Sequence, residues 1–199
     1  MTATPDDVLQ FWLGDLDADG CASEEAAKRW WLKSDAFDGE CTTRFRATHQ
    51  ALRAGTLDDW LERPRGRLAY VIVADQLSRN MFRGSGEMYS ADTLATQASL
   101  DAMDAGVDQD FGYHERYFLY MPFMHAEDVA LQDRCVALFE GLVQAFPSMA
   151  KNAAMAHDYA IKHRDIVARF GRFPHRNALL GRDSSEEEKA FLQQPGSSF

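Results

Sequence analysis

Three stretches of this chain gather side chains that could do chemistry. The first is Asp75-Gln76-Leu77-Ser78-Arg79-Asn80-Met81-Phe82-Arg83. On a helix, Asp75, Arg79 and Arg83 repeat at i, i+4, i+8, with Gln76 and Asn80 one strip over, so the five share one polar face. Carboxylate, amide and guanidinium side by side could hold a polar ligand. The same spacing also describes a solvated face with an ordinary Asp–Arg pair worth a few tenths of a kcal/mol.

The second stretch is Pro122-Phe123-Met124-His125-Ala126-Glu127-Asp128. A helix beginning after Pro122 would collect His125 and two carboxylates near its positive end. His125, with a reference pKa of ~6.5, suits general acid or base work, and Glu127 could orient it. The carboxylates also read as ordinary first-turn residues.

The third runs from His163 through Arg169, Arg172, His175 and Arg176 to Asn177. Lys151 to Arg182 carries seven Lys/Arg against two Asp, a local +5 in a chain of net charge −10. Guanidinium forks bind carboxylate and phosphate bidentately, so this basic island suits an anionic ligand or an acidic segment of the same chain. Gly171 and Pro174 are expected to make a turn that aims Arg172 and His175 inward. The candidate catalytic groups are therefore Asp75, His125, Glu127 and His175. The candidate ligand-binding groups are Gln76, Arg79, Asn80, Arg83, His163, Arg169, Arg172, Arg176 and Asn177.

Metal has weak support, because His125, Glu127, His163 and His175 lack HExxH-type spacing and no CxxC pair exists. No P-loop, GxGxxG or GxSxG element is present, so no cofactor is assigned. Trp12, Trp30, Trp31 and Trp60 recur at helical spacing and read as core.

The elements that must position these groups are helical. Thr4-Pro5, Ser23 and Ser34 are N-cap signals. Arg67 to Met81 is the one strand-like run, but Tyr70, Val73, Ala74, Leu77 and Met81 outlast the apolar stretch at helical spacing. Further helices are expected after Ser90, over Tyr113–Tyr120 ending before Pro122, from about Glu127 to Phe146, and from about Ser148 to Phe170. Ser184 and Ser185 with Glu187 and Glu188 make overlapping capping boxes for a last helix, and the tail from Gln194 to Phe199 is not helical. Eight or nine helices without a hairpin signal make an all-α fold in one domain of 199 residues. Tetratricopeptide-like antiparallel pairs would suit it, although the 34-residue repeat consensus is not visible.

Composition narrows the function classes. With 46% hydrophobic and 12% aromatic residues, there is material for a core without staples. The acidic balance disfavours nucleic acid and anionic membranes. No run approaches the ~18 apolar residues of a membrane span, the start of the chain has no signal-peptide pattern, and three scattered cysteines read as reduced thiols. A cytoplasmic location is expected.

Several blocks together resemble the bacterial "domain of unknown function 924" family: Val8–Trp12, Trp30–Phe37, Asp75–Gly84, Glu115–Glu127, Arg169–Asn177 with Leu180–Arg182, and the Pro195–Phe199 tail. Leu77 and Ser78 replace the phenylalanine and proline of the family's DQFPRN pattern, which favours an uninterrupted helix. The resemblance implies a tetratricopeptide-like helical fold and supplies no reaction. Three readings stand: a small-molecule site for an anion, possessing or lacking catalysis; a helical module for a peptide or protein partner; and a buried polar network that only fixes packing.

Overall fold

The structure, a computed structural model, describes residues 2–198. Among these residues the chain is all-α. Its one departure is an isolated bridge between Leu16 and Ala22. The expected N-terminal signals hold. Thr4 caps α1 (Pro5–Trp12) in a reciprocal box with Asp7, Ser23 caps α2 (Glu24–Trp31), and Ser34 caps α3 (Asp35–Arg53).

The strand-like run is helical, as its stripe predicts, but it is not a plain α-helix. It begins as α4 (Pro64–Val71), widens to a π segment over Ile72–Leu77, and resumes as α5 (Ser78–Met81). This rod packs against α1, α3, α6 (Asp92–Asp104) and α7 (Tyr113–His125). Every residue from Leu68 to Ser78 is buried, so no solvated polar face exists there. Because the rod is surrounded, Asp75 and Gln76 must find their partners inside the protein.

Two expectations for α7 are corrected. The helix does not stop before Pro122 but runs through it to His125. Proline at this position removes one helical N–H and costs about 3 kcal/mol in an exposed helix. Here Phe118 to Met124 are all buried, and that packing outweighs the lost bond. His125 is thus the last residue of a helix, not a first-turn residue of the next one, which is α8 (Val129–Ala145) with Asp128 as its N-cap. The start of α7 is held where Gly20 and Gly112 cross: Tyr113 and His114 donate to the Asp19 and Gly20 carbonyls, and a side chain on either glycine would strike the other backbone.

The α8 helix packs along α9 (Ala150–Phe170), and Asp133 near the start of one pairs with Arg164 near the end of the other, so the two are antiparallel. Gly171, at φ +69°, ends α9 in the left-handed conformation. A 3-10 turn, Pro174–Arg176, and α10 (Glu186–Leu192) follow, with the box formed by Ser185 and Glu188; Ser184 instead accepts from Asn177. The tail is non-helical through Ser198, and Phe199 lies outside the described residues. One large core fills the bundle, while Ile166, Val167 and Phe173, with Phe170 and Phe191, form a smaller cluster under α10.

Candidate functional site

The widened turn of the central rod brings Asp75 against the end of α7. Asp75 is completely buried, and its Oδ1 lies 2.7 Å from His125 Nδ1 and 3.0 Å from Arg79 Nη1. Gln76 Nε2 donates to Oδ2 at 2.6 Å. Burial alone would raise this carboxyl's pKa, but Arg79 and His125 overcome it and hold the group well below the usual carboxylate range. An ionised Asp75 can only accept, so His125 carries its proton on Nδ1 and its lone pair on Nε2. Burial and the nearby Arg79 lower the His125 pKa against the pull of Asp75, which favours the neutral ring. Its side chain is 12% exposed. A neutral imidazole whose other nitrogen is fixed by a buried carboxylate is the arrangement a general base requires.

Contacts on two sides keep His125 there. Gln132, on α8, donates through Nε2 to the Met124 carbonyl at 2.7 Å and the Ala126 carbonyl at 2.8 Å, on either side of His125. These are end-of-helix carbonyls that no helical N–H can reach. On the other side the His163 ring lies 6.3 Å from that of His125, with Nδ1 2.8 Å from the Tyr159 carbonyl, and burial pushes its pKa to about 3.

Arg79 and Arg176 meet at Asp92, the first residue of α6. Arg79 holds Asp92 in a two-pronged pair, Nη1–Oδ1 3.0 Å and Nη2–Oδ2 3.1 Å, and also donates to the Asp75 carbonyl at 2.7 Å. Arg176 reaches Asp92 Oδ2 only through Nη1, at 3.4 Å. Its guanidinium carbon lies over the rings of Phe173 at 4.5 Å and Tyr89 at 4.6 Å. The Arg176 side chain is 7% exposed, yet its buried Nε has no hydrogen-bond partner among the described residues. Burial and Arg79 pull its pKa down.

The remaining candidates lie elsewhere, mostly in closed pairs. Asn80 and Arg83 both bind Asp38 on α3, with Arg83 Nε and Nη2 at 2.6 and 3.0 Å from its two oxygens. Glu127 accepts from Arg182 at 2.6 and 2.8 Å and from the Phe173 N–H at 2.8 Å. It does not touch His125's ring as an orienting group; Asp75 fills that place. Arg172 pairs with Glu188 at 2.7 and 2.9 Å, Arg169 with Glu187, and Asn177 bridges Ser184 and Arg182. The turn after Gly171 therefore points Phe173 and Arg176 inward, and Arg172 outward to α10. His175 is half-buried beside Phe173, with its pKa pushed to about 4 by burial and Arg176.

So the structure brings together Asp75, Gln76, Arg79, His125, His163 and Arg176. It separates Asn80 and Arg83, and Glu127, Arg169, Arg172 and Asn177, from that group. Sequence reasoning missed Asp92, Tyr89 and Gln132. Asp92 carries the signature of a routine first-turn acid, and nothing local marks the other two. Two shallow depressions lie apart from this site, one lined by Asp6, Asp7, Gln10, Asp15 and Arg65, the other by Lys33, Asp38, Thr42, Asn80 and Arg83. Among the described residues no group of three His, Cys, Asp or Glu side chains is placed to hold a metal ion. Nor is any helix long and apolar enough to cross a membrane.

The chain is an all-α bundle that buries an Asp–His pair beside two guanidiniums on one aspartate. The family described as "Bacterial protein of unknown function (DUF924)" matches residues 8–196, and the chain belongs to it. It is also similar to the solved structure of a protein of unknown function from Agrobacterium tumefaciens, at 37% identity and a TM-score of 0.81, over 95% of this chain and 96% of that one. No curated protein matches the chain.

Proposed function

We propose that this protein binds a small organic anion at the C-terminal end of α7 and moves a proton on it. His125 is the general base or acid, Asp75 sets its tautomer, and Arg176 holds the anionic group. Arg79 and Asp92 form the frame that keeps Asp75 ionised and Arg176 in place. The observation that carries this reading is the 2.7 Å contact between His125 Nδ1 and a fully buried Asp75. A side chain that only filled space beside Asp75 would need no second ring nitrogen, whereas His125 keeps Nε2 uncommitted by the Asp75 contact and is still 12% exposed.

The test begins with a thermal-shift screen of small organic anions. A compound at about 100 times its dissociation constant adds ~2.7 kcal/mol, which for a chain of this size raises Tm by about 5–10 °C. A stabilising compound is then followed by NMR in D2O for exchange of its acidic protons, an exchange expected to disappear in His125→Gln. If no anion stabilises the wild type, or exchange persists in that variant, the reading fails.

One observation favours a second reading, a helical module for a peptide or protein. Trp31 is 56% exposed and Leu32 63%, and Trp31 meets half-buried Tyr117 edge-on. Crosslinking from position 31 distinguishes the two: a specific partner there, with the anion screen silent, selects the module.

A further inference from the structure

We infer that the anionic group taken by Arg176 is a planar monocarboxylate, received edge-on by the Nε–Nη2 side of the guanidinium. This deepens the preceding reading and rests on it for the place of His125.

Arg176 is a buried cation whose hydrogen bonding is incomplete. A guanidinium has five N–H donors, and Arg176 has one acceptor oxygen, at 3.4 Å, which Arg79 already holds at 3.1 Å. Buried charge left this way is costly, so either the fold tolerates the cost or a ligand removes it. The geometry says where the ligand sits. The Phe173 and Tyr89 rings lie 4.5 and 4.6 Å from the guanidinium carbon, and Asp92 is on the Nη1 side. What is left is the Nε–Nη2 edge, and the buried Nε is the atom without a partner.

That edge has a standard occupant within this same protein. Arg83 closes Nε and Nη2 on Asp38, and Arg172 closes the same two nitrogens on Glu188. Both partners are carboxylates, in the parallel two-bond arrangement that suits a planar acceptor. Charge gives the same answer. With neutral histidines, Asp75 and Asp92 balance Arg79 and Arg176. A monocarboxylate adds one negative charge, which a single proton on His125 would offset. A phosphate dianion adds two beside the two aspartates, with only one histidine adjoining Asp75 to compensate. The groups facing His125 are Asp75 and Arg79 from the central rod, His163 from α9, and Arg176 and His175 from the turn.

The experiment is an NMR titration of the full chain with acetate and benzoate, and separately with inorganic phosphate, at matched ionic strength. The Arg176 Nε–H signal is assigned by its loss in Arg176→Lys. Expected are a saturable shift of this signal with the carboxylates, none with phosphate, and affinity at least tenfold weaker in the lysine variant, which keeps the charge but loses the fork. A stronger response to phosphate, or an unmoved Arg176 signal with every probe, overturns the inference. Should Arg176→Lys fail to fold, Arg176→Gln supplies the assignment, and the wild-type titration still decides. The His125 ring nitrogens separate the two readings. Carboxylate binding that shifts Arg176 and leaves His125 unmoved supports this inference while removing the base from the proposed function.

Discussion

Asp75→Asn is the perturbation whose size follows most directly from the structure. The substitution keeps the side chain's shape and removes a buried negative charge that meets His125, Gln76 and Arg79. Breaking a buried pair from one side costs about 3–5 kcal/mol, because the opposite charge is left uncompensated. Arg79 retains Asp92 as a second partner, which places the expected loss near the lower end, ~3 kcal/mol. For a chain of this length that is a fall in Tm of roughly 6–12 °C. Asp38→Asn is the internal control. It also breaks an Arg–carboxylate pair, but Arg83 is 36% exposed, and such pairs are worth about 0.2–1 kcal/mol. Urea melts of both variants at pH 7.5 measure the difference. If Asp75→Asn and Asp38→Asn lose the same stability, the charge on Asp75 is not the centre of a buried network, and the electrostatic account of the site is wrong.

Acidification acts on several buried imidazoles at once. Burial pushes His49, His114 and His175 to about 4 and His163 to about 3. The unfolded chain takes up these protons near pH 6.5 and the folded chain does not. Stability is therefore fully present above pH 6.5 and lost as pH falls toward 4, by at most about 1.4 kcal/mol per pH unit for each histidine. Urea midpoints measured between pH 7.5 and 5.0 should decline, and a flat profile would contradict the burial of these rings. Gln132→Leu removes the donor to the Met124 and Ala126 carbonyls; the expected loss is ~2 kcal/mol, together with a changed His125 ring signal. A variant with unchanged Tm and an unchanged His125 spectrum would show that Gln132 does not position that ring.

Much of the fold was legible because helix ends are local events. Thr4, Ser23, Ser34 and Ser185 announce their helices through side chains that bond backbone N–H groups two or three residues ahead, and all four do so. The all-α class followed from eight or nine helix signals without a hairpin signal, and the stripe over Tyr70 to Met81 decided the one strand-like run. The π segment did not, since nothing in Ile72–Leu77 distinguishes a wider turn from a regular one; it is settled by what surrounds the rod. The same holds for α7, where tertiary burial carries the helix through Pro122 against a strong local signal. For the site, residue types were informative and partners were not. Asp75, Arg79, His125, His163 and Arg176 were all candidates, but the meeting of Asp75 with His125 joins positions 50 residues apart. Asp92 escaped notice because a carboxylate at the first position of a helix already has a local explanation.

The basic island near the C-terminus sharpens the functional argument by what it spends internally. Arg169, Arg172 and Arg182 each close on a glutamate, and these pairs tie α10 and the turn after α9 to the bundle. An excess of arginine in sequence is thus mostly an architectural device, as a chain of net charge −10 has carboxylates to match it. Arg176 differs from its neighbours in two respects at once: it is more buried than they are, and it is less completely bonded. Packing alone would select the opposite combination, since an arginine without full partners is better placed in water, where its donors are satisfied at no cost. The same turn that sends Arg172 outward sends Arg176 inward to within one aspartate of the Asp75–His125 pair. A buried cation whose Nε has no partner among the described residues, next to an imidazole held by a buried carboxylate, is the combination from which the proposed anion site is argued.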